Sequence, residues 1–193
     1  MSHLQSAAVF CGSAPGNHPA YLAAAAELGR GFAANGIRLV YGGGGIGLMG
    51  AVSQATHDAG GAVLGIMPDF LKRREIPQIA GTELVVTTSM HARKAKMFEA
   101  ADAFVILPGG LGTLDEMFEI ITWRQLGLHD KPILICNINH AADLWIAVIE
   151  NAVATGFAQA SALTLYEQHT SVAAVLARLC ALPPSPVTES TRL

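Results

Sequence analysis

Short apolar runs alternate with longer amphipathic stretches along almost the whole chain. The runs cover residues 7–11, 38–41, 62–67, 84–87, 103–107, 132–136 and 163–166. They are rich in Val, Ile and Leu with little polar alternation, the pattern of strands buried on both faces. Between them, Ala-rich stretches at 19–34, 48–59, 90–101, 114–126, 141–155 and 171–181 carry apolar residues at helical spacing. Alternating strands and helices predict a mostly parallel sheet with helices on both faces, a doubly wound α/β architecture. One stretch breaks the rhythm. Residues 68–81, with Pro68, Lys72-Arg73-Arg74 and Pro77, are long for a connection and read as a candidate substrate loop. The end, 182–193, is rich in Pro, Ser and Thr and is expected to be disordered, which leaves a single domain over 1–181.

Composition sharpens this picture. The 193 residues suit one domain. Charged residues make up 14%, against roughly 25% in ordinary soluble domains. Part of the 51% hydrophobic content is 32 alanines, yet charge this sparse predicts that some surface is covered by another subunit. A net charge of −3 and a pI near 6.1 provide no field for a polyanion, so no nucleic-acid partner is expected. No apolar run reaches 18 residues, so no membrane helix is expected, and the first residues lack the basic and apolar regions of a secretory signal. Cys11, Cys136 and Cys180 lie far apart among apolar residues and read as buried, reduced thiols of a cytoplasmic protein. The histidines show no metal-ligand spacing, and no metal is expected.

In a Rossmann-like sheet, ligands bind beyond the carboxyl ends of the strands, near the reversal in strand order. Three strand ends here run into small residues: Gly12-Ser13-Ala14-Pro15-Gly16, Gly42-Gly43-Gly44-Gly45-Ile46-Gly47 and Pro108-Gly109-Gly110-Leu111-Gly112-Thr113. Each precedes a helix. The glycines either permit tight turns or let backbone N–H groups converge on an anion, and three such loops on one edge favour a phosphate-binding rim. Gly45, Gly47 and Gly50 also satisfy GxGxxG with Asp69 downstream, but after the second strand rather than the first, which weakens a dinucleotide reading. No Walker lysine follows any of these glycines.

The third loop carries sharper chemistry. Thr113 and Glu116 have capping-box spacing, with Thr113 as N-cap and Glu116 reaching back to it. Alternatively, Glu116, Glu119 and Thr122 share a helix face beside the phosphate loop. Two carboxylates beside a ribose suit a reaction that builds positive charge on C1′, as N-glycosidic cleavage does. Upstream, Ser89-Met90-His91-Ala92-Arg93-Lys94 opens a helix. It is either a solvated basic face or a site where an Arg holds a carboxylate or phosphate.

Together these residues resemble the Lonely Guy (LOG) proteins, cytokinin riboside 5′-monophosphate phosphoribohydrolases that are often labelled lysine decarboxylases. The run Pro108–Glu116 matches their PGGxGTxxE signature. Further matches are VFCGSAPG, YGGGGIGLMG, Arg74-Glu75-Ile76, MHARK at 90–94 and ITWRQLGLHDKPI at 121–133, so the likeness covers roughly 7–180. The resemblance implies hydrolysis of the base–ribose bond of N6-modified adenosine monophosphates, with AMP itself also a candidate. It implies Arg93 and Glu116 as the catalytic pair, and Ser13, Gly109, Gly110, Gly112 and Thr113 around the phosphate. Gly45, Glu75 and Lys94 would contact substrate, and Glu119 and Thr122 would line the ribose side. It further implies a homodimer with active sites near the interface and no metal or organic cofactor. Lysine decarboxylation would need a pyridoxal-binding lysine with matching contacts, which no motif supplies. The alternative is a non-catalytic nucleotide-binding or sensing protein of the same fold.

Overall fold

The computed structural model describes residues 4–72 and 82–182. In chain order the elements are β1 (Ser6–Phe10), α1 (Pro19–Ala34), β2 (Arg38–Tyr41), α2 (Gly47–Asp58), β3 (Val63–Pro68) and the single turn α3 (Asp69–Lys72). They continue with β4 (Glu83–Thr87), α4 (Met90–Glu99), β5 (Ala103–Ile106), α5 (Leu111–Gln125), β6 (Ile133–Cys136), α6 (Asp143–Ala154), β7 (Glu167–His169) and α7 (Val172–Cys180). All strand pairs are parallel, in the order β4-β3-β2-β1-β5-β6-β7. The sheet therefore grows outward from β1 to β4, and the chain then returns through α4 to pair β5 with β1. The α/β doubly wound expectation holds.

Alternate residues of each central strand serve opposite layers, as the two-residue period of a strand requires. Ala7, Val9, Leu39, Tyr41, Val105 and Leu134 pack into the layer with α1, α2 and α7. Ala8, Phe10, Val40, Phe104, Ile106 and Ile133 pack against α4, α5 and α6. This double burial is why the strands lack polar alternation. The first layer is thin where α1 crosses α2, because a Cβ on Gly29 would overlap the backbone of Val52 and Thr56.

The strand at the sheet centre is tied down at its start by one carboxylate. Asp102 accepts hydrogen bonds from the backbone N–H of Gln5 (3.1 Å) and Ser6 (3.0 Å) and from the Ser6 hydroxyl (3.0 Å). Asp102→Ala leaves these donors without their acceptor and is expected to cost about 1–3 kcal/mol. The check is urea unfolding; a shift under about 0.5 kcal/mol would mean that water replaces the carboxylate fully.

Two expectations are corrected. The run at 163–166 is not a strand: residues Ala160–Thr164 form a 3-10 turn and β7 follows at Glu167–His169. As an edge strand β7 pairs only with β6 and needs no apolar sequence, while Leu165 and Tyr166 pack beneath α6 on the way in. Cys180 is half-buried rather than buried, and its thiol donates to Asn35 Oδ1 (3.3 Å). Cys11 and Cys136 are buried, and burial pushes both thiols up, that of Cys136 to about 12. The irregular stretch begins in order, with Pro68 closing β3 and α3 following; residues 73–81 and the tail beyond Leu182 lie outside the described residues.

Candidate active site

Because β1 and β5 are neighbours from which the chain departs in opposite directions, the loops beyond their carboxyl ends part and leave a crevice. Gly12 stands on one side and Pro108–Gly110 on the other. The Gly12 N–H donates to the Pro108 carbonyl (3.0 Å), and the Gly12 carbonyl accepts from Leu48 N–H (3.0 Å) and Met49 N–H (3.2 Å) at the start of α2. The three glycine loops thus meet at one edge of the sheet. Their contacts leave no room for side chains at two points. A Cβ on Gly109 would overlap the Thr113 side chain, and one on Gly47, whose φ is +60°, would overlap the Ser13 backbone.

The helices leaving this edge differ at their N-termini. Ser89 caps α4 by accepting from Ala92 N–H (3.1 Å), and Ser171 caps α7 in the same way. In contrast, α2 starts after Ile46 and α5 after Gly110, with no side-chain cap and no acidic residue in the first turn. At α2 the Leu48 and Met49 N–H groups are taken by the Gly12 carbonyl, whereas the leading N–H groups of α5, at the positive end of the helix dipole, remain available to an anion. Ser13, Gly110 and Gly112 are exposed here, Gly45 and Gly109 are half-buried, and Thr113 is buried.

The capping box does not form. Helix α5 begins three residues earlier than the spacing suggests, so Thr113 lies inside its first turn and Glu116 belongs to the second. The extended Gly110 can start the helix without a capping side chain, and Thr113 is held by its packing against Gly109. Glu116 instead pairs with Arg93: Nη1 of Arg93 donates to Glu116 Oε1 at 2.7 Å, and each residue is only 8% exposed. Arg93 Nε donates to the Ile66 carbonyl at the end of β3 (3.1 Å). Burial pushes the Glu116 carboxyl above the usual carboxylate range, while the Arg93 charge and hydrogen bond, and the Lys94 charge, pull against that rise. The same carboxylate, after burial, raises the Cys11 thiol across the crevice.

Beside this pair lies a second, wetter one. Lys94 Nζ sits 2.6 Å from Asp115 Oδ2 and 3.3 Å from Glu119 Oε2. Burial disfavours its charge, but the two carboxylates more than compensate and hold the ammonium above its ordinary pKa. Lys94 is thus spoken for by α5, and Asp115, a partner the sequence pattern did not single out, lies closer to it than Glu119 does. Thr122 is exposed one turn beyond Glu119. Glu75 lies outside the described residues. Sequence reasoning also missed the Ile66 carbonyl and Gly42, which borders Arg93. A backbone carbonyl carries no residue-type signal, and Gly42 was hidden in a run of four glycines. Among the described residues, no group of three or more His, Cys, Asp or Glu could hold a metal ion, and no helix is long and apolar enough to cross a membrane.

Comparison with known proteins agrees with these features. The model of the family described as "Possible lysine decarboxylase" matches residues 49–179. The cytokinin riboside 5′-monophosphate phosphoribohydrolase LOG of Oryza sativa subsp. japonica is 47% identical over 156 residues, 81% of this chain and 64% of that protein. LOG2 of Arabidopsis thaliana is 46% identical over 161 residues, 83% of this chain and 76% of that protein. The chain thus spans just under two thirds of the rice protein and about three quarters of LOG2. Among solved structures, the molybdenum cofactor carrier protein of Chlamydomonas reinhardtii superposes with a TM-score of 0.68 at 19% identity, covering 93% of this chain and all of that one. At that identity the likeness speaks for the fold alone. The family match over most of the chain and the close curated relatives agree with the signature residues: this chain is a member of the Lonely Guy (LOG) family.

Proposed function

We propose that this chain hydrolyses the N-glycosidic bond of N6-modified adenosine 5′-monophosphates, releasing the free base and ribose 5-phosphate. The observation that carries the reading is the buried Arg93–Glu116 pair at the crevice beside the uncapped N-terminus of α5. The relatives named cytokinin riboside 5′-monophosphate phosphoribohydrolase support the same chemistry.

The 5′-phosphate suits the N–H groups opening α5 and the loop Gly109–Thr113, with Ser13 opposite. That anchorage brings the ribose over Glu116 and Glu119. As the bond from C1′ to the base nitrogen lengthens, its electron pair leaves with the base and C1′ takes on oxocarbenium character. An ionised Glu116 stabilises that carbon or orients the water whose oxygen bonds to it; the water supplies a hydroxyl to the sugar and a proton to the base. Arg93 keeps Glu116 ionised against the cost of burial. Glu119 and Thr122 line the ribose side, Glu75 is a substrate contact as the family resemblance implies, and Lys94 acts through the carboxylates it joins.

The test is chromatographic assay of purified protein with AMP and isopentenyl-AMP. Free base from either supports the proposal and ranks the substrates. Nucleotide binding without release would make the chain a sensing protein instead.

The same reading includes a homodimer in the cytoplasm. Leu144 and Val148, one turn apart on α6, and Phe157 just beyond it are all more than half exposed, which fits the sparse surface charge. Light scattering is expected to give twice the chain mass at micromolar concentration; a monomer there would remove this element.

A further inference from the structure

We infer that Gly42 is a positioning residue: its missing side chain is the slot that holds the Arg93 guanidinium. This rests on the proposed role of Arg93. Gly42 follows β2 directly and is buried. Nothing in its backbone requires glycine, because its φ is not positive, whereas Gly43 (φ +81°) and Gly47 (φ +60°) do occupy the left-handed region. Space is what requires it. A Cβ on Gly42 would overlap Nη2 of Arg93 and stand 3.1 Å from the Met49 sulfur. The Met49 thioether is unbranched and can turn away. The guanidinium cannot yield without loss, since Nε is committed to the Ile66 carbonyl and Nη1 to Glu116. An added methyl therefore pushes Arg93 off the line joining those acceptors, and displacement by about 1 Å at a catalytic group can cost about 10²-fold in rate.

Lysine at position 93 has no Nη2 to collide, and this gives the test its control. Gly42→Ala, Arg93→Lys and the double variant are compared with wild type in kcat, KM and melting temperature. The expectation is that Gly42→Ala lowers kcat about 10²-fold with little change in KM and lowers the melting temperature. Added to Arg93→Lys, it does neither. In parallel, 15N NMR follows the Arg93 Nε–H signal, protected in wild type by its bond to Ile66 and lost in Gly42→Ala. Should Gly42→Ala alone fail to fold, the double variant must fold. Equal losses in both backgrounds, a double variant that stays unfolded, or a Gly42→Ala protein with wild-type rate and an intact Nε–H signal would each overturn the inference. If wild type releases no base, the functional proposal fails by itself, and the melting-temperature cycle and NMR signal still decide the slot.

Discussion

Replacing Glu116 with Gln is expected to lower turnover of isopentenyl-AMP by about 10²–10⁴-fold, with KM within a few-fold of wild type. The substitution keeps the shape of the side chain and an oxygen that can accept from Arg93 Nη1, so the pair's geometry survives. What disappears is the negative charge, which matters as C1′ becomes cationic and contributes little to binding the neutral ribose. The pH profile offers a second check. Because burial raises the Glu116 pKa, the acid limb of kcat should fall above the ordinary carboxylate value of 4.5, and the residual activity of the Gln variant should lack that limb. Turnover within three-fold of wild type would reduce Glu116 to a structural partner of Arg93.

Removing the other partner should damage the fold as well as the chemistry. Arg93→Ala leaves the Glu116 carboxylate buried with its cation gone, and breaking a buried pair from one side costs about 3–5 kcal/mol. The loss should depend on pH in a definite direction. Without Arg93 the carboxyl of the folded state rises further above its unfolded value, so the folded state binds the proton more tightly than the unfolded state does. Stability then falls as pH rises through the folded pKa, and returns on acidification towards the unfolded value of 4.5. Urea unfolding at pH 8 and pH 5 measures this. The gap between wild type and variant should be wider at pH 8. A gap independent of pH would show that Arg93 supports the fold through packing and its bond to Ile66, not through the carboxylate charge.

Apolar runs marked most strands: β1, β2, β3, β5 and β6, buried on both faces, and the half-exposed edge strand β4 all lie within a residue or so of their expected limits. Pro19 marks the start of α1, and the expected span is the observed one. Legibility failed where a single neighbour decides. The edge strand β7 needs no apolar pattern, so the run before it misled. At Thr113 and Glu116 the local spacing was right for a capping box, but a guanidinium arriving from α4 claimed the carboxylate. The motif named both members of the buried pair; their contact, and the Ile66 carbonyl that orients it, exist only once the sheet is assembled. Lys94 shows the limit differently. Its sequence neighbours give no hint that two carboxylates of α5 receive it.

The composition of that pair's surroundings has a consequence for how the protein is made. Arg93 finds its two acceptors at residues 27 positions before and 23 positions after it, on opposite sides of the β1–β5 seam. Gly42 borders it from still further back. No contiguous fragment that stops short of α5 contains a finished site, and a newly synthesised chain has all the ligand-facing loops of its first half before it has Glu116. Parallel pairing of strands as distant in sequence as β1 and β5 is slow compared with helix formation, so α1, α2 and α4 can be largely formed while the guanidinium is still without its carboxylate. The site is therefore completed late, when the two halves of the sheet zip together, and an incompletely folded chain has the glycine loops without the buried ion pair.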